Sequence, residues 1–144
     1  MVAVSESFHS VSQRTGSVIG IIPWDEDAGK PREGYPNPWV EIPIYTHLPL
    51  SGGRGKEPLS RNHINVLSSD VIVALPGGTG TASEVTLAVD YRCPIVAFVD
   101  SKDQIPGLSS EVPVEPNFEA VQAFVGGVLR MLGDYHDRHS GRSR

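Results

Sequence analysis

One cysteine, Cys93, occurs in 144 residues. An intrachain disulfide and a cysteine-based zinc site are therefore excluded. No apolar run approaches the roughly 18 residues a membrane helix needs. Met1-Val-Ala-Val-Ser-Glu6 has no basic segment, so no signal peptide is read and a soluble cytoplasmic protein is expected. Positive charge is in deficit: 12 Lys and Arg against 17 Asp and Glu leave a formal charge of −5. Bulk-charge binding to nucleic acid or an anionic membrane is excluded on that ground. Five histidines show no metal-like pairing, and no metal site is predicted. His136 and His139 lie at i, i+3 on a polar tail and read as solvated. No internal repeat or low-complexity tract is found. What is present is a 39% hydrophobic, 20% charged composition, which excludes a disordered chain. The length suits one domain, able to bury roughly 70% of its unfolded surface. Fifteen glycines and twelve prolines assign much of the chain to loops.

Met1, Val4, Phe8 and Val11 recur at helical spacing, which predicts an amphipathic helix over Val2–Arg14 stopped at Gly16. Val18–Ile22 reads as a buried strand. Trp24–Pro38 has no periodicity and reads as a loop. Val40–Tyr45 is rich in β-formers but carries Pro43, which predicts an edge or irregular strand. His47–Glu57 reads as a glycine-rich loop. Ser60–Ser69 reads as a helix with Ile64 and Leu67 inward. Val71–Leu75 is the clearest buried strand, Thr81–Tyr91 a helix with Val85, Ala88 and Val89 inward, and Ile95–Val99 the next buried strand. Ser101–Glu111 is a loop and Val112–Val114 a last short strand. Asn117 caps a helix whose buried stripe is Val121, Phe124, Val125, Val128, Leu129 and Leu132, and Gly133 ends it. The single domain then covers 1–133, and 134–144 is a polar, frayed tail. Alternating helices and continuous apolar strands predict an α/β fold: a Rossmann-like parallel sheet containing Val18–Ile22, Val71–Leu75 and Ile95–Val99, with helices on both faces.

The strongest chemical signal is Val71-Ile-Val-Ala-Leu-Pro-Gly-Gly-Thr-Gly-Thr-Ala-Ser-Glu84. It joins a strand, a glycine turn and a helix start. Gly77, Gly78 and Gly80 let backbone N–H groups approach a ligand, and a helix N-terminus favours an anion. Thr79, Thr81 and Ser83 add hydroxyl donors. The turn follows the carboxyl end of its strand, where ligands of such sheets bind. The same residues also suit a tight turn without a ligand. Glu84 completes Thr81-x-x-Glu84, a capping box in which its carboxylate accepts from the Thr81 N–H. It is also placed to act on a bound phosphate or ribose. Arg61 opens a helix, where a cation opposes the macrodipole unless an anion is nearby. A solvated surface arginine is the alternative. His63 shares that helix and is within possible reach of a ligand.

Arg54 and Lys56 form either an anion clamp or a solvated turn. Gly55-Lys56 is no P-loop, because Leu50 and Glu57 stand where Gly and Ser or Thr are required. Gly78-Thr-Gly80-Thr-Ala-Ser83 with Asp100, 22 residues beyond Gly78, is a near-match to a dinucleotide fingerprint, with Ser83 in place of the last glycine. Cys93 reads as a packed thiol. Trp24 and Trp39 either stack on a heterocycle or cover the core edge.

Pro76-Gly-Gly-Thr-Gly-Thr-Ala-Ser-Glu84 resembles the PGGxGTxxE motif of the Lonely-guy and molybdenum-cofactor-carrier superfamily, also described as lysine decarboxylase-like. Ser60-Arg-Asn-His-Ile-Asn-Val-Leu-Ser-Ser-Asp70 resembles its Arg-containing helix, and Gly16-Ser-Val-Ile-Gly-Ile-Ile-Pro23 its "GxVIGIIP" strand. The resemblance covers roughly Met1 to Val99. It implies a Rossmann-like fold, a homo-oligomer (dimer or tetramer) and a phosphorylated, nucleotide-like ligand held by Gly77, Gly78, Thr79, Gly80, Thr81, Arg61 and Glu84. In the Lonely-guy branch, which hydrolyses the N-glycosidic bond of cytokinin nucleoside monophosphates, the catalytic pair corresponds to Arg61 and Glu84. That branch usually has Arg-Lys and Glu-Glu where this chain has Arg61-Asn62 and Ser83-Glu84. The carrier branch more often has the residues seen here, which implies a binding protein for the molybdenum cofactor (molybdopterin). The family also has a strand, a helix and a strand, ending in a second glycine-rich loop, ahead of the segment matching Met1. The resemblance therefore implies that this chain begins inside the family's fold.

Overall fold

The structure is a computed structural model that describes residues 2–140, with side chains through 135. In chain order its elements are α1 (Val2–Ser10), β1 (Ile19–Ile22), β2 (Trp24–Asp25), β3 (Lys30–Pro31), β4 (Ile42–Tyr45), α2 (Asn62–Leu67), β5 (Ile72–Ala74), α3 (Thr79–Asp90), β6 (Ile95–Ala97) and α4 (Phe118–Ser140). Single 3-10 turns lie at Gly52–Arg54 and Lys102–Gln104.

The α/β class is as expected, with short parallel strand pairs and helices packed on them. β5 pairs in parallel with β6, Ile72 opposite Ile95, and Ala97 makes one further parallel bridge to Val114. That bridge is all that forms of the expected Val112–Val114 strand. β1 pairs in parallel with β4, Ile19 opposite Ile42. The expectation of one sheet is corrected: β1–β4 and β5–β6 are separate two-stranded sheets. The ladder shows how β5 is left with an open edge. Ile72 N–H donates to Pro94 O and Ala74 O accepts from Phe98 N–H, both at 2.8 Å. Even-numbered residues thus face β6, and the Val73 N–H and C=O face the other edge.

The core lies on one face of β5–β6. Ala74, Ile95, Ala97 and Val99 pack there against Val85 and Ala88 of α3, Val66 of α2, and Ile105 and Val112 of the following connection. α4 lies on the opposite face, where Phe118 meets Phe98 with ring centroids 6.1 Å apart. An open cleft of about 560 Å³, lined by Val73, Leu75 and Val121 among others, remains there. Val71–Leu75 is therefore not buried on both faces: Val73 and Leu75 are 39% and 37% exposed.

Several boundaries move for identifiable reasons. α1 stops at Ser10 rather than Arg14, because Ser10 Oγ bonds back to Ser7 O and Gln13 adopts a left-handed φ of 61°. No α1 residue is buried, so its apolar stripe faces outward. Trp24–Pro38 is not wholly loop. β2 and β3 pair antiparallel across a turn where Asp25 Oδ1 accepts from Ala28 N–H and Gly29 takes a positive φ. Pro43 is accommodated in β4. α2 turns Asn62 and Val66 inward, leaving Ile64 and Leu67 exposed.

Asn117 caps α4 as expected, its Oδ1 accepting from the N–H groups of Glu119 and Ala120 at 2.8 and 3.2 Å. Val121 and Val128 are buried, whereas Leu129 is exposed. Gly133 does not end α4, because the helix continues to Ser140 across the expected polar tail. A helix-ending glycine needs a positive φ, and Gly133 does not adopt one. The side chains of His136 and His139 lie outside those described.

Candidate functional site

The turn Pro76–Gly78 carries the chain from β5 into α3. The helix starts at Thr79, with Gly78 at the N-cap position and no side chain capping it. This corrects the capping box. Thr81 lies inside the first turn, and Glu84 Oε1 instead accepts from Asn65 Nδ2 of α2 at 2.9 Å. A helix starting here leaves the N–H groups of Thr79, Gly80 and Thr81 without intrahelical partners. The Gly77 N–H is already used, donating to Gln104 O at 3.1 Å. Gly77 has a steric role: a Cβ there would collide with Thr81 Oγ1. Gly78 stands in open space, with nothing within 4 Å of a Cβ position.

A second glycine segment packs on the same turn. Ser83 Oγ donates within reach of both Gly52 O and Thr79 O, each at 2.9 Å. A Cβ on buried Gly55 would meet Asn62 Nδ2, and Gly52 O and the Ser83 Cβ at 2.8 Å each. Asn62 and Ser83 are 2% and 5% exposed. The Ser83 hydroxyl latches the Gly52–Gly55 turn onto the start of α3, and Asn62 lies beside Gly55. The helix end is thus flanked by a second glycine turn.

Arg61 immediately precedes Asn62 of α2 and is not a solvated surface residue. It is 6% exposed, its Nε has no hydrogen-bond partner, and its guanidinium lies 5.7 Å from the Tyr35 ring centroid. Among the described residues no carboxylate pairs with it. Asn62 Oδ1, beside it, is likewise buried without a partner. A buried, unpaired guanidinium is costly unless an anion compensates it. Arg61 and Glu84 are not joined to each other. Glu84 and Thr81 line a cavity of about 270 Å³ together with Asn65, Ser69 and the open edge of β5.

The side chains of the remaining candidates have other partners. Arg54 pairs with Glu57 at 2.7 Å on the surface, which lowers the Glu57 pKa and raises that of Arg54 through their hydrogen bond. His63 bridges Tyr91 Oη at 2.7 Å and Glu57 O at 2.9 Å, a structural tie between α2 and the end of α3. Asp100 lines a separate cleft with Leu75, Pro76 and Gln104. Trp39 packs against His9, centroids 5.3 Å apart. Cys93 is partly buried against the core, as expected. Sequence reasoning missed Tyr35, Gly55 and Asn65. Asn65 carried a signal, since it lies one helical turn from Arg61 on the same face. Tyr35 carried none, because a loop residue reaches Arg61 by tertiary folding alone.

Among the described residues no helix is long and apolar enough to cross a membrane, and no group of three or more His, Cys, Asp or Glu is placed to hold a metal. Residues 1–119 match the family model described as the SLOG cluster4 family. No curated protein and no solved structure matches the chain.

Proposed function

Because the chain belongs to the SLOG cluster4 family, which is related to Lonely-guy, we propose that it binds the phosphate of a nucleotide-like small molecule between the start of α3 and Arg61. Nucleotide-like ligand binding is what the family suggests. The observation that carries the reading is Arg61, buried with no partner at its Nε, whose chain neighbour Asn62 meets Ser83 of the uncapped α3 around Gly55. The N–H groups of the first turn of α3 and the guanidinium are both donors suited to a phosphate.

The finer reading is a binding protein for the molybdenum cofactor, whose molybdopterin carries a phosphate. Its support is the latch. Asn62 and Ser83, the residues that set this chain apart from the Lonely-guy pattern, are both buried, and the Ser83 hydroxyl ties down the glycine turn. The second reading is a nucleoside 5'-monophosphate phosphoribohydrolase using Arg61 and Glu84. It is favoured by one observation, the Glu84 carboxylate lining a cavity beside Thr81. Release of free base from adenosine monophosphate separates the two. A carrier gives saturable cofactor binding and no base. A hydrolase gives base release that collapses in Glu84→Gln while binding persists.

The proposal includes self-association. The open edge of β5 and exposed Val4, Phe8, Ile64 and Leu67 form surface that a second copy covers. Light scattering is expected to show a dimer or larger species, and a monomer at all concentrations contradicts this part.

A further inference from the structure

Arg61 is the charge on which the phosphate reading turns, yet no hydrogen bond fixes its Nε. A long side chain without such a bond takes its rotamer from what packs against it. The Arg61 guanidinium lies over the Tyr35 ring, 5.7 Å from its centroid, within the range of a cation–π attraction. The negative face of the ring holds the charge in place without neutralising it, as a carboxylate would, so the N–H donors stay available to an anion.

Tyr35 is partly exposed and lies on a loop, so its ring stays over Arg61 only if the loop is held. Arg32 holds it. The turn Arg32-Glu33-Gly34-Tyr35 is closed by the Tyr35 N–H donating to Arg32 O at 3.1 Å, and Gly34 supplies the positive φ of 80°. The Arg32 N–H donates to Pro23 O at 3.1 Å, and its guanidinium donates to Pro49 O at 2.8 Å and to Ser51 Oγ at 2.6 Å. Ser51 immediately precedes the Gly52–Arg54 turn that the Ser83 hydroxyl ties to α3. One side chain thus braces the Tyr35 loop against the segment that enters the glycine turn.

We propose that Tyr35 is a positioning residue that holds the Arg61 guanidinium ready for an anion, on a loop that Arg32 braces. The inference rests on the phosphate reading above and adds what keeps Arg61 in place. Tyr35 acts through Arg61 and not on the ligand directly.

The test titrates inorganic phosphate into the full chain, followed by calorimetry and by the NMR signal of the Arg61 Nε–H. Inorganic phosphate has no ring to stack on Tyr35, so any effect of Tyr35 on its affinity passes through Arg61. In the native protein the Arg61 signal is expected upfield of its position in Tyr35→Leu, because a proton over an aromatic face is shielded. Tyr35→Leu should also weaken phosphate binding about fivefold, the size of a modest cation–π attraction. Tyr35→Phe keeps the ring and should restore both the signal and the affinity. Arg32→Met should move the signal in the same direction as Tyr35→Leu, and should add little when the two are combined, because they act as a unit. A ring that only fills space would lower the melting temperature of Tyr35→Leu and leave its phosphate affinity native, which overturns this inference alone. Effects of Arg32→Met and Tyr35→Leu that add in full overturn the bracing by Arg32. If Tyr35→Leu fails to fold, Tyr35→Ala takes its place with the same expected losses. A native protein that binds no phosphate overturns the phosphate reading and this inference with it.

Discussion

The two parallel strand pairs are written in the same kind of sequence and meet different fates. Ile95, Val96 and Ala97 of β6 are all buried, whereas in the other pair Ile21 and Ile22 of β1 are buried but Ile19 of β1 and Ile42, Ile44 and Tyr45 of β4 are 44–58% exposed. Every residue of the main core cluster lies between Val66 and Val112. α3 and α4 flank β5–β6, but α1 buries none of its residues. Continuous apolar runs thus specify that a strand forms, and β6, whose sheet is flanked by helices, is buried along its whole length while β1 is buried only at Ile21 and Ile22. The site lies in the well-packed region, where its parts can be held still.

The largest expected effect that sharpens this contrast is in the core. Ile105→Ala, at a site with no exposure, should lose ~2–5 kcal/mol in urea denaturation. Ile19→Ala on β1, at a site 58% exposed, should stay within ~0.5 kcal/mol. Equal losses would break the comparison and show β1 covered as fully as β6.

Next comes the glycine turn. Gly55→Ala should lose ~1–3 kcal/mol by forcing apart the Asn62 and Ser83 contacts, while Gly78→Ala should leave the melting temperature nearly unchanged. Ser83→Ala is smaller, ~0.5–1.5 kcal/mol, and should increase hydrogen exchange at Gly52–Gly55.

The smallest effect is in the N-terminal region. Glu41 is hydrogen-bonded by Arg14 and by the Val18 N–H, which lower its pKa below 4.5. A depressed carboxylate stabilises the folded chain above its ordinary value and loses that contribution as pH falls through the folded one. Protection factors of β1 and β4 amides, in which the intrinsic pH dependence of exchange is divided out, should therefore fall on acidification below the ordinary value, and Glu41→Gln should remove the dependence.

Much of the fold was legible because it is local. The β5-turn-α3 unit is a β-branched run, a glycine break and a helix, and the Asn117 cap is a one-residue signal. What was not legible depends on partners distant in sequence. The capping box read at Thr81 gives way because Gly78 starts the helix earlier and Asn65, 19 residues before Glu84, claims the carboxylate. Ile64 and Leu67 look like a buried face by spacing, yet α2 is rotated to bring Asn62 and Val66 inward. The burial of Arg61 under Tyr35 depends on a loop whose own sequence has no periodicity.

The measurement closest to the central claim is calorimetric titration of adenosine monophosphate into the native chain, Gly78→Val and Arg61→Ala. Gly78 sits in open space, so Gly78→Val should keep the native melting temperature and abolish binding by covering the α3 amides. Arg61→Ala should weaken binding by ~1.5–3 kcal/mol, the loss of one charge-assisted contact. A folded Gly78→Val that binds as tightly as the native chain would place the ligand elsewhere and contradict the account.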